Sequence, residues 1–207
     1  MLNNLKDYHI LLASNSPRRR ELLGGLDIEY DVVALPDVDE SYPEGIGPND
    51  IPIYIACQKA NAYQSHTQEN TLLITADTIV WLDGVVYGKP TDEEDAVNML
   101  KILSGKTHQV ITGVCLTTKD HQHSFSVVSD VSFAILSEEE IRYYVSKYKP
   151  YDKAGSYGVQ EWIGYIGVKE IQGSFYNVMG LPIQRLYQEL KGLPNPSQGG
   201  ALKDTNI

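Results

Sequence analysis

The sequence is poor in cysteine, in positive charge and in long apolar runs. Its 207 residues include two cysteines far apart in the chain, Cys57 and Cys115, which argues against a disulfide framework and a cysteine-based zinc site. Lysine and arginine total 17 against 27 acidic residues, so the net charge of −10 leaves no basic face for nucleic acid. No apolar run approaches the roughly 20 residues of a membrane span, and the N-terminus does not resemble a secretory signal. These absences predict a cytoplasmic protein that binds neither nucleic acid nor membranes.

Several common signatures of enzyme sites are also missing. None of the five histidines stands at a zinc-ligand spacing from a cysteine or a glutamate. The sequence has no Walker loop, no G-x-G-x-x-G and no G-x-S-x-G. What is present is an ordinary globular composition, 42% apolar and 21% charged. We therefore predict one two-lobed domain over residues 1–191, followed by a disordered tail over 192–207 that is rich in proline, glycine, serine and asparagine.

The order of predicted elements favours an α/β fold with a mixed sheet. Apolar β-rich segments predict strands over residues 9–13, 28–34, 71–80, 107–118, 124–136 and 163–171. Helical spacing and caps predict helices over residues 17–23, 53–66, 92–103 and 182–190, and one that begins after Ser137 with Glu140 as the third residue of a capping box. Asp83-Gly84 predicts a hairpin turn after the third strand. Two long central strands follow each other without a helix between them. We therefore expect a partly antiparallel central sheet flanked by helices.

The first candidate site is the turn from the first strand into the first helix. Ser14 and Ser16 precede Pro17, which suits the first position of a helix, and Arg18 and Arg19 follow. Unpaired N–H groups and a partial positive charge make a helix N-terminus suitable for anions. The pattern predicts an oligophosphate site with Ser16 as the helix cap, or else a capped surface helix with solvated arginines.

A single carboxylate, Asp77, interrupts the apolar strand predicted over residues 71–80. A buried carboxylate is costly unless a cation, a metal or a hydrogen-bond donor compensates it. Asp77 is therefore either half of a structural ion pair or a metal ligand or general base, and we favour the functional role.

An acidic loop contains Asp37, Asp39 and Glu40. Carboxylates suit hard cations such as Mg²⁺, which also bind water and substrate phosphates. Without other evidence, a merely acidic loop explains this pattern better.

Three lysines and one glutamine complete the candidates. Lys59 has small or apolar neighbours on its helix, Lys89 precedes a proline, and Lys153 lies in a loop rich in tyrosine and glycine. Each of these lysines alone is more often solvated than bound to a ligand. Gln160 follows a glycine-bracketed segment, residues 155–158, from which its amide could contact a base edge.

Taken together, these segments resemble the Maf family of nucleoside triphosphate pyrophosphatases. The resemblance covers residues 11–190 and rests on LLASNSPRRRELL, VDES, CQKA, ITADTIV, YGKP, LSGKTHQVITGV, YDKAGSYGVQ and NVMGLP, in this order. It implies a cytoplasmic enzyme with a cleft between two lobes and with Mg²⁺ or Mn²⁺ as cofactor. The reaction would release a monophosphate and pyrophosphate from a nucleoside triphosphate.

The resemblance also implies roles for particular residues. Family roles fall on Ser14, Arg18, Arg19, Glu40, Lys59, Asp77, Lys89 and Gln160. Asp77 matches the family's proposed proton acceptor, and Glu40 and Asp77 would hold the metal. The combination of Arg18, Thr78 and Gln160 is similar to the type that acts on dTTP and UTP, whereas the 7-methyl-GTP type carries Trp, Gln and Glu there. The alternatives are a hydrolase of other or modified nucleotides and a nucleotide-binding regulator of septum formation with incidental hydrolysis. The sequence leaves open whether the protein forms a homodimer.

Overall fold

The computed structural model describes residues 1–34, 38–63 and 68–196, and within them seven strands form one mixed sheet. The strands are β1 (His9–Ala13), β2 (Asp31–Val33), β3 (Thr71–Leu82), β4 (Val85–Tyr87), β5 (Thr107–Thr117), β6 (Gln122–Phe133) and β7 (Val168–Gln172). The helices are α1 (Pro17–Gly24), α2 (Ile51–Tyr63), α3 (Glu93–Leu103), α4 (Glu138–Tyr148), α5 (Trp162–Gly167), α6 (Phe175–Met179) and α7 (Ile183–Gly192). None of these helices is long and apolar enough to cross a membrane.

The sheet confirms the predicted mixed topology. Its order is β2-β1-β3-β5-β6-β7, with β4 paired to β3. Strand β1 runs parallel to β2 and β3, whereas the β3–β5, β5–β6 and β6–β7 pairs are antiparallel. The parallel pairs need crossover connections, which contain α1 and α2, whereas the antiparallel pairs β3–β4 and β5–β6 are joined by short turns.

The register of β3 leaves part of one edge open. On one side, β5 pairs with residues 73–81 of β3. On the other side, β1 pairs with residues 71–74 and β4 with residues 80–82. Among the described residues, the stretch from Thr75 to Ile79 therefore has no strand on that side, and Asp77 lies at its centre. At this opening, polar side chains from both faces of the sheet lie next to the same cavity.

Apolar cores lie on either side of this opening. On one face, a cluster with Leu12, Leu23 and Leu186 packs under α1 and α7, and a second cluster with Leu100 and Tyr144 packs under α3 and α4. On the other face, α2 lies directly on β5. These packed clusters form the two lobes expected from the sequence, with the cleft between them.

Close packing at Gly113 fixes the position of α2. A Cβ atom at Gly113 would lie 2.3 Å from the backbone of Pro52 and Ile53, so only glycine permits this approach. One helical turn further on, the Thr75 hydroxyl donates to the Ala56 carbonyl oxygen over 2.7 Å. Helix α2 is thereby held with Lys59 facing the strand that carries Asp77.

Several local predictions are confirmed. Ser137 and Glu140 form the predicted capping box at the start of α4. Asp83 and Gly84 form the predicted turn between β3 and β4, and both have the positive φ that such a turn needs. Asp92 caps α3 by accepting a hydrogen bond from the Asp95 amide.

Other local predictions are wrong. Residues 162–167, assigned in part to a strand over 163–171, form α5, and the strand begins only at Val168. Gly164 explains the difference, because the ideal Cβ position there lies 1.8 Å from the Val159 carbonyl oxygen and the helical turn packs directly on the preceding loop. The strand predicted over 28–34 is limited to Asp31–Val33.

Two predicted boundaries also need correction. Ser16 precedes α1, but its side chain makes no capping hydrogen bond; the Ser14 hydroxyl instead accepts one from the Ser16 amide over 3.2 Å. The predicted disordered tail begins too early, because α7 includes Gly192 and Leu193 is buried in the core. Asp37, the end of the helix predicted over 53–66 and residues 197–207 lie outside the described residues.

Candidate active site

A cleft of about 1010 Å³ opens at the uncovered edge of β3. The structure brings the following predicted site residues to its lining: Ser14, Ser16, Arg18, Arg19, Glu40, Lys59, Asp77, Thr78, Lys89 and Gln160. These residues come from segments up to 146 positions apart, and the sheet register is what assembles them. The cleft is therefore the candidate site.

Lys59 joins two carboxylates on the α2 side of the cleft. Its Nζ lies 2.8 Å from Glu40 Oε1 and 2.7 Å from Asp77 Oδ1. We call Glu40, Lys59 and Asp77 the Lys59 cluster; with all three ionised it carries one net negative charge. Although partial burial raises the pKa of Glu40, the hydrogen bond and charge of Lys59 outweigh it, so this pKa lies below its usual value. Asp77 is thus compensated by a cation, as its place in an apolar strand requires.

The donor set of the Lys59 cluster fits a hard divalent cation. Glu40 keeps 47% of its side chain exposed to solvent, and only one oxygen of each carboxylate faces Lys59. No three histidine, cysteine, aspartate or glutamate side chains in the described residues come together as a complete metal site. Mg²⁺ is commonly held by one or two carboxylates, with water and substrate phosphates as the other ligands. Glu40 and Asp77 match that pattern.

Arg19 is held by three protein acceptors on the opposite face of β3. Its guanidinium donates to the Gly180 carbonyl over 2.8 Å, to the Ala76 carbonyl over 2.7 Å and to the Thr78 hydroxyl over 3.0 Å. Burial lowers the pKa of Arg19, while the nearby Asp77 opposes that shift. Arg19 therefore binds β3 on both sides of Asp77, and it also lines the cleft; its part in phosphate binding stays a prediction.

A second charged group lies at the other wall of the cleft. Arg18 donates to Asp152 Oδ2 over 2.9 Å, and Lys153 Nζ lies 2.7 Å from Asp152 Oδ1 and 3.1 Å from Glu161 Oε1. We call these four residues the Lys153 cluster. The pKa of Asp152 lies below its usual value because the hydrogen bonds from Lys153 and Arg18 outweigh the effect of burial. Sequence reasoning missed Asp152 and Glu161, although both are adjacent to residues that it selected.

Gln160 and Lys89 each present a polar group that could contact a ligand: the Gln160 amide oxygen and the Lys89 ammonium group. Gln160 Oε1 is buried and has no hydrogen-bond partner in the described residues. Lys89 is exposed just after β4, and its charge contributes to the lowered pKa of Glu40. The Gly155 amide donates to the Gly88 carbonyl over 3.0 Å, which ties the Gln160 loop to the segment that carries Lys89.

Solved structures identify the class of fold. The Ham1 protein of Staphylococcus aureus superposes with a TM-score of 0.52 over 87% of this chain and 99% of that protein. The two sequences are 18% identical, so the similarity concerns the fold alone. The mixed sheet with a cleft is therefore of the Ham1 type.

Sequence comparison then defines the family. A family model described as Maf-like protein matches residues 9–193, and the chain belongs to this family. A protein of Bacteroides thetaiotaomicron named dTTP/UTP pyrophosphatase is 67% identical over 193 residues, which cover 93% of this chain and all of that protein. A protein of Flavobacterium johnsoniae with the same name is 46% identical, with 91% and 97% covered. The family resemblance inferred from the motifs is confirmed.

Proposed function

We propose that this protein hydrolyses dTTP and UTP to the monophosphate and pyrophosphate, and thereby removes unwanted nucleotides from the cellular pool. The observation that supports this most strongly is one cleft that contains both the acidic Lys59 cluster and the base-reading candidates Thr78 and Gln160. Relatives that match this chain over nearly their whole length are named dTTP/UTP pyrophosphatase.

The base would be recognised at the Gln160 end of the cleft. Thymine and uracil present an acceptor, O4, beside a donor, N3–H. A glutamine amide can pair with both, because it offers one acceptor and two donors. The buried, unpartnered Oε1 of Gln160 is an acceptor available for N3–H. Arg18 and Thr78 would complete this selection.

The triphosphate would lie between the lysines and the start of α1. Ser14, Ser16, Arg18, Lys59 and Lys89 line this part of the cleft and would offset phosphate charge. Glu40 and Asp77 would hold Mg²⁺ or Mn²⁺ together with phosphate oxygens. A bound divalent cation neutralises developing negative charge and lowers the pKa of coordinated water.

Asp77 would act as the general base. Its carboxylate takes a proton from a water molecule as the water oxygen forms a bond to the α-phosphorus. The bond from the α-phosphorus to the oxygen bridging to the β-phosphate breaks, and pyrophosphate leaves with the electron pair. Lys59 holds the Asp77 carboxylate in place through their ion pair, in which Nζ lies 2.7 Å from Asp77 Oδ1.

A substrate panel with pyrophosphate detection tests the proposed function. We expect many turnovers per site with dTTP and UTP in the presence of Mg²⁺, Mn²⁺ or Co²⁺, and slower reaction with purine triphosphates. Modified pyrimidine triphosphates belong in the same panel. A preference for 7-methyl-GTP above about tenfold, or about 1.4 kcal/mol in the transition state, would contradict the pyrimidine assignment. Less than one turnover per site would favour a nucleotide-binding regulator.

A further inference from the structure

The loop that carries Gln160 is fixed from behind by one buried tyrosine. Tyr144 on α4 is fully buried, and its hydroxyl accepts a hydrogen bond from the Gly158 amide over 3.0 Å. The same hydroxyl donates to Glu161 Oε2. Tyr144 therefore contacts the loop on both sides of Gln160. Neither Tyr144 nor Glu161 lines the cleft, so these residues would act on a ligand only through Gln160.

Packing leaves this loop little freedom to move. The Glu161 carboxylate lies over Gly158, where a Cβ atom would come within 2.7 Å of Glu161 Cδ. Gly164 of α5 similarly approaches the Val159 carbonyl. Because Gly164 meets backbone atoms, only glycine fits there, whereas a Cβ atom at Gly158 would displace the Glu161 carboxylate that contacts Tyr144.

The second oxygen of Glu161 extends the network toward the phosphate end of the cleft. Glu161 Oε1 lies 3.1 Å from Lys153 Nζ, and Lys153 also contacts Asp152, which accepts a hydrogen bond from Arg18. Glu161 thus accepts from two donors at once, one on α4 and one at the cleft wall. Its position depends on both.

We propose that Tyr144 and Glu161 are positioning residues that set selectivity for the base by holding the Gln160 amide in place. The proposal rests on the proposed function for its substrate class. A held amide meets a base edge with less loss of conformational freedom than a mobile one, and preorganisation of this kind strengthens binding. The general base and the carboxylates of the Lys59 cluster lie elsewhere and make no contact with Tyr144.

The variant Tyr144→Phe removes the hydroxyl and retains the ring. We expect the KM for dTTP to rise about tenfold, whereas kcat stays within about threefold, because the lost interaction concerns the base and not the reacting phosphate. Inorganic tripolyphosphate has no base, so its inhibition constant should stay within about twofold. The preference for dTTP over dGTP should shrink by about tenfold.

Two further variants keep the test sharp. Tyr148→Phe is the matched control, because Tyr148 lies on the same helix, stacks on Tyr144 at 5.1 Å and has no hydroxyl hydrogen bond in the described residues. It should leave selectivity unchanged. Glu161→Gln retains the shape of the side chain but has one oxygen, whereas the carboxylate contacts Tyr144 with one oxygen and Lys153 with the other. It should therefore reproduce the loss of selectivity even if Tyr144→Phe folds poorly.

Equilibrium binding of dTMP separates this proposal from the proposed function. A wild-type chain that releases no pyrophosphate would contradict the proposed function, but its dTMP affinity would still report on the base contact. Weaker dTMP binding in Tyr144→Phe and Glu161→Gln, with unchanged tripolyphosphate affinity, supports the positioning role. Unchanged dTMP affinity, or equal losses for dTMP and tripolyphosphate, would overturn it.

Discussion

The two charged clusters of the cleft differ in their balance of charge. The Lys59 cluster holds two carboxylates around one ammonium group, so negative charge is in excess. The Lys153 cluster pairs two cations, Arg18 and Lys153, with two carboxylates, Asp152 and Glu161. The first is anchored on a central strand and a helix, and the second on a loop with its contacts to α1 and α4. The same types of side chain therefore serve different purposes in one cleft.

The difference in balance suggests how chemistry and positioning are divided. Excess carboxylate leaves oxygen lone pairs for a divalent cation and for a proton. In the balanced cluster, Lys153 and Glu161 are paired with each other, which suits them to holding backbone and side chains in place, while Arg18 also lines the cleft. We therefore propose that the Lys59 cluster carries out hydrolysis and that Glu161 of the Lys153 cluster positions Gln160.

Removing the proton acceptor should have the largest effect. We expect Asp77→Asn to lower kcat by about 10²–10⁴, because an amide can neither take a proton nor hold a cation as a carboxylate does. Stability should fall by about 1–2 kcal/mol, since Lys59 loses one charged partner and keeps Glu40. Steady-state kinetics and thermal melting of one preparation measure both effects. A variant with wild-type kcat would show that Asp77 serves only as an ion-pair partner.

Removing the central cation of the Lys59 cluster should change the pH dependence. Lys59 lowers the pKa of Glu40, so Lys59→Met should raise that pKa. The carboxylate would then be protonated at a higher pH, and the acid limb of the kcat/KM profile should move upward by about one pH unit. Lys119→Met, which breaks an exposed pair with Glu69, is the control. An unmoved acid limb would show that ionised Glu40 is not required.

Low pH should also weaken the fold through a group outside both clusters. His108 is buried beside Tyr157, and burial lowers its pKa to about 4, below the usual value of 6.5. The unfolded chain binds the proton more readily between these values, so stability falls as pH drops below about 6.5. From pH 7 to 4.5 this contributes a loss of about 2 kcal/mol.

Denaturant unfolding of wild type and His108→Gln at both pH values checks this contribution. The variant should lose about 2 kcal/mol less than wild type over the same pH interval. Equal losses would mean that His108 does not titrate as its burial implies. The comparison also tells which part of an acid loss of activity comes from unfolding and which from Glu40.

Lys89 should show the smallest of these effects. It is exposed, and within the described residues it has neither a hydrogen bond nor an ion pair. Lys89→Ala should therefore raise the KM for dTTP by about tenfold, through the loss of one phosphate-facing charge, with a melting temperature near that of wild type. A strong fall in melting temperature with unchanged kinetics would make Lys89 a structural residue.

Sequence patterns predicted most of the polar residues that line the cleft, but not which protein groups these residues contact. Asp77 stood out because it is the only charge in an apolar strand, and burial demanded a partner for it. The partner itself depends on how α2 packs at Gly113, which is a contact between distant segments. Arg19 was predicted as a phosphate ligand, and its three protein acceptors could not be predicted as well, because they depend on the open edge of β3, which follows from strand register.

The elements of the fold could be predicted from the sequence to a similar extent. Caps and turns such as Ser137 and Asp83-Gly84 follow from local chemistry and are correct. Residues 163–167 were wrongly predicted as strand, because aromatic and β-branched residues favour strands. The close approach of Gly164 to Val159 favours one helical turn instead. Tertiary packing therefore determined the conformation of that segment.

The separation of hydrolysis from base recognition is tested most directly by comparing Asp77→Asn and Glu161→Gln in one assay of pyrophosphate release from dTTP. The account predicts that Asp77→Asn loses at least about 100-fold in kcat with KM within about threefold. Glu161→Gln should instead raise KM by about tenfold and keep kcat within about threefold. If both variants changed the same kinetic parameter to a similar extent, the two clusters would not have separate roles.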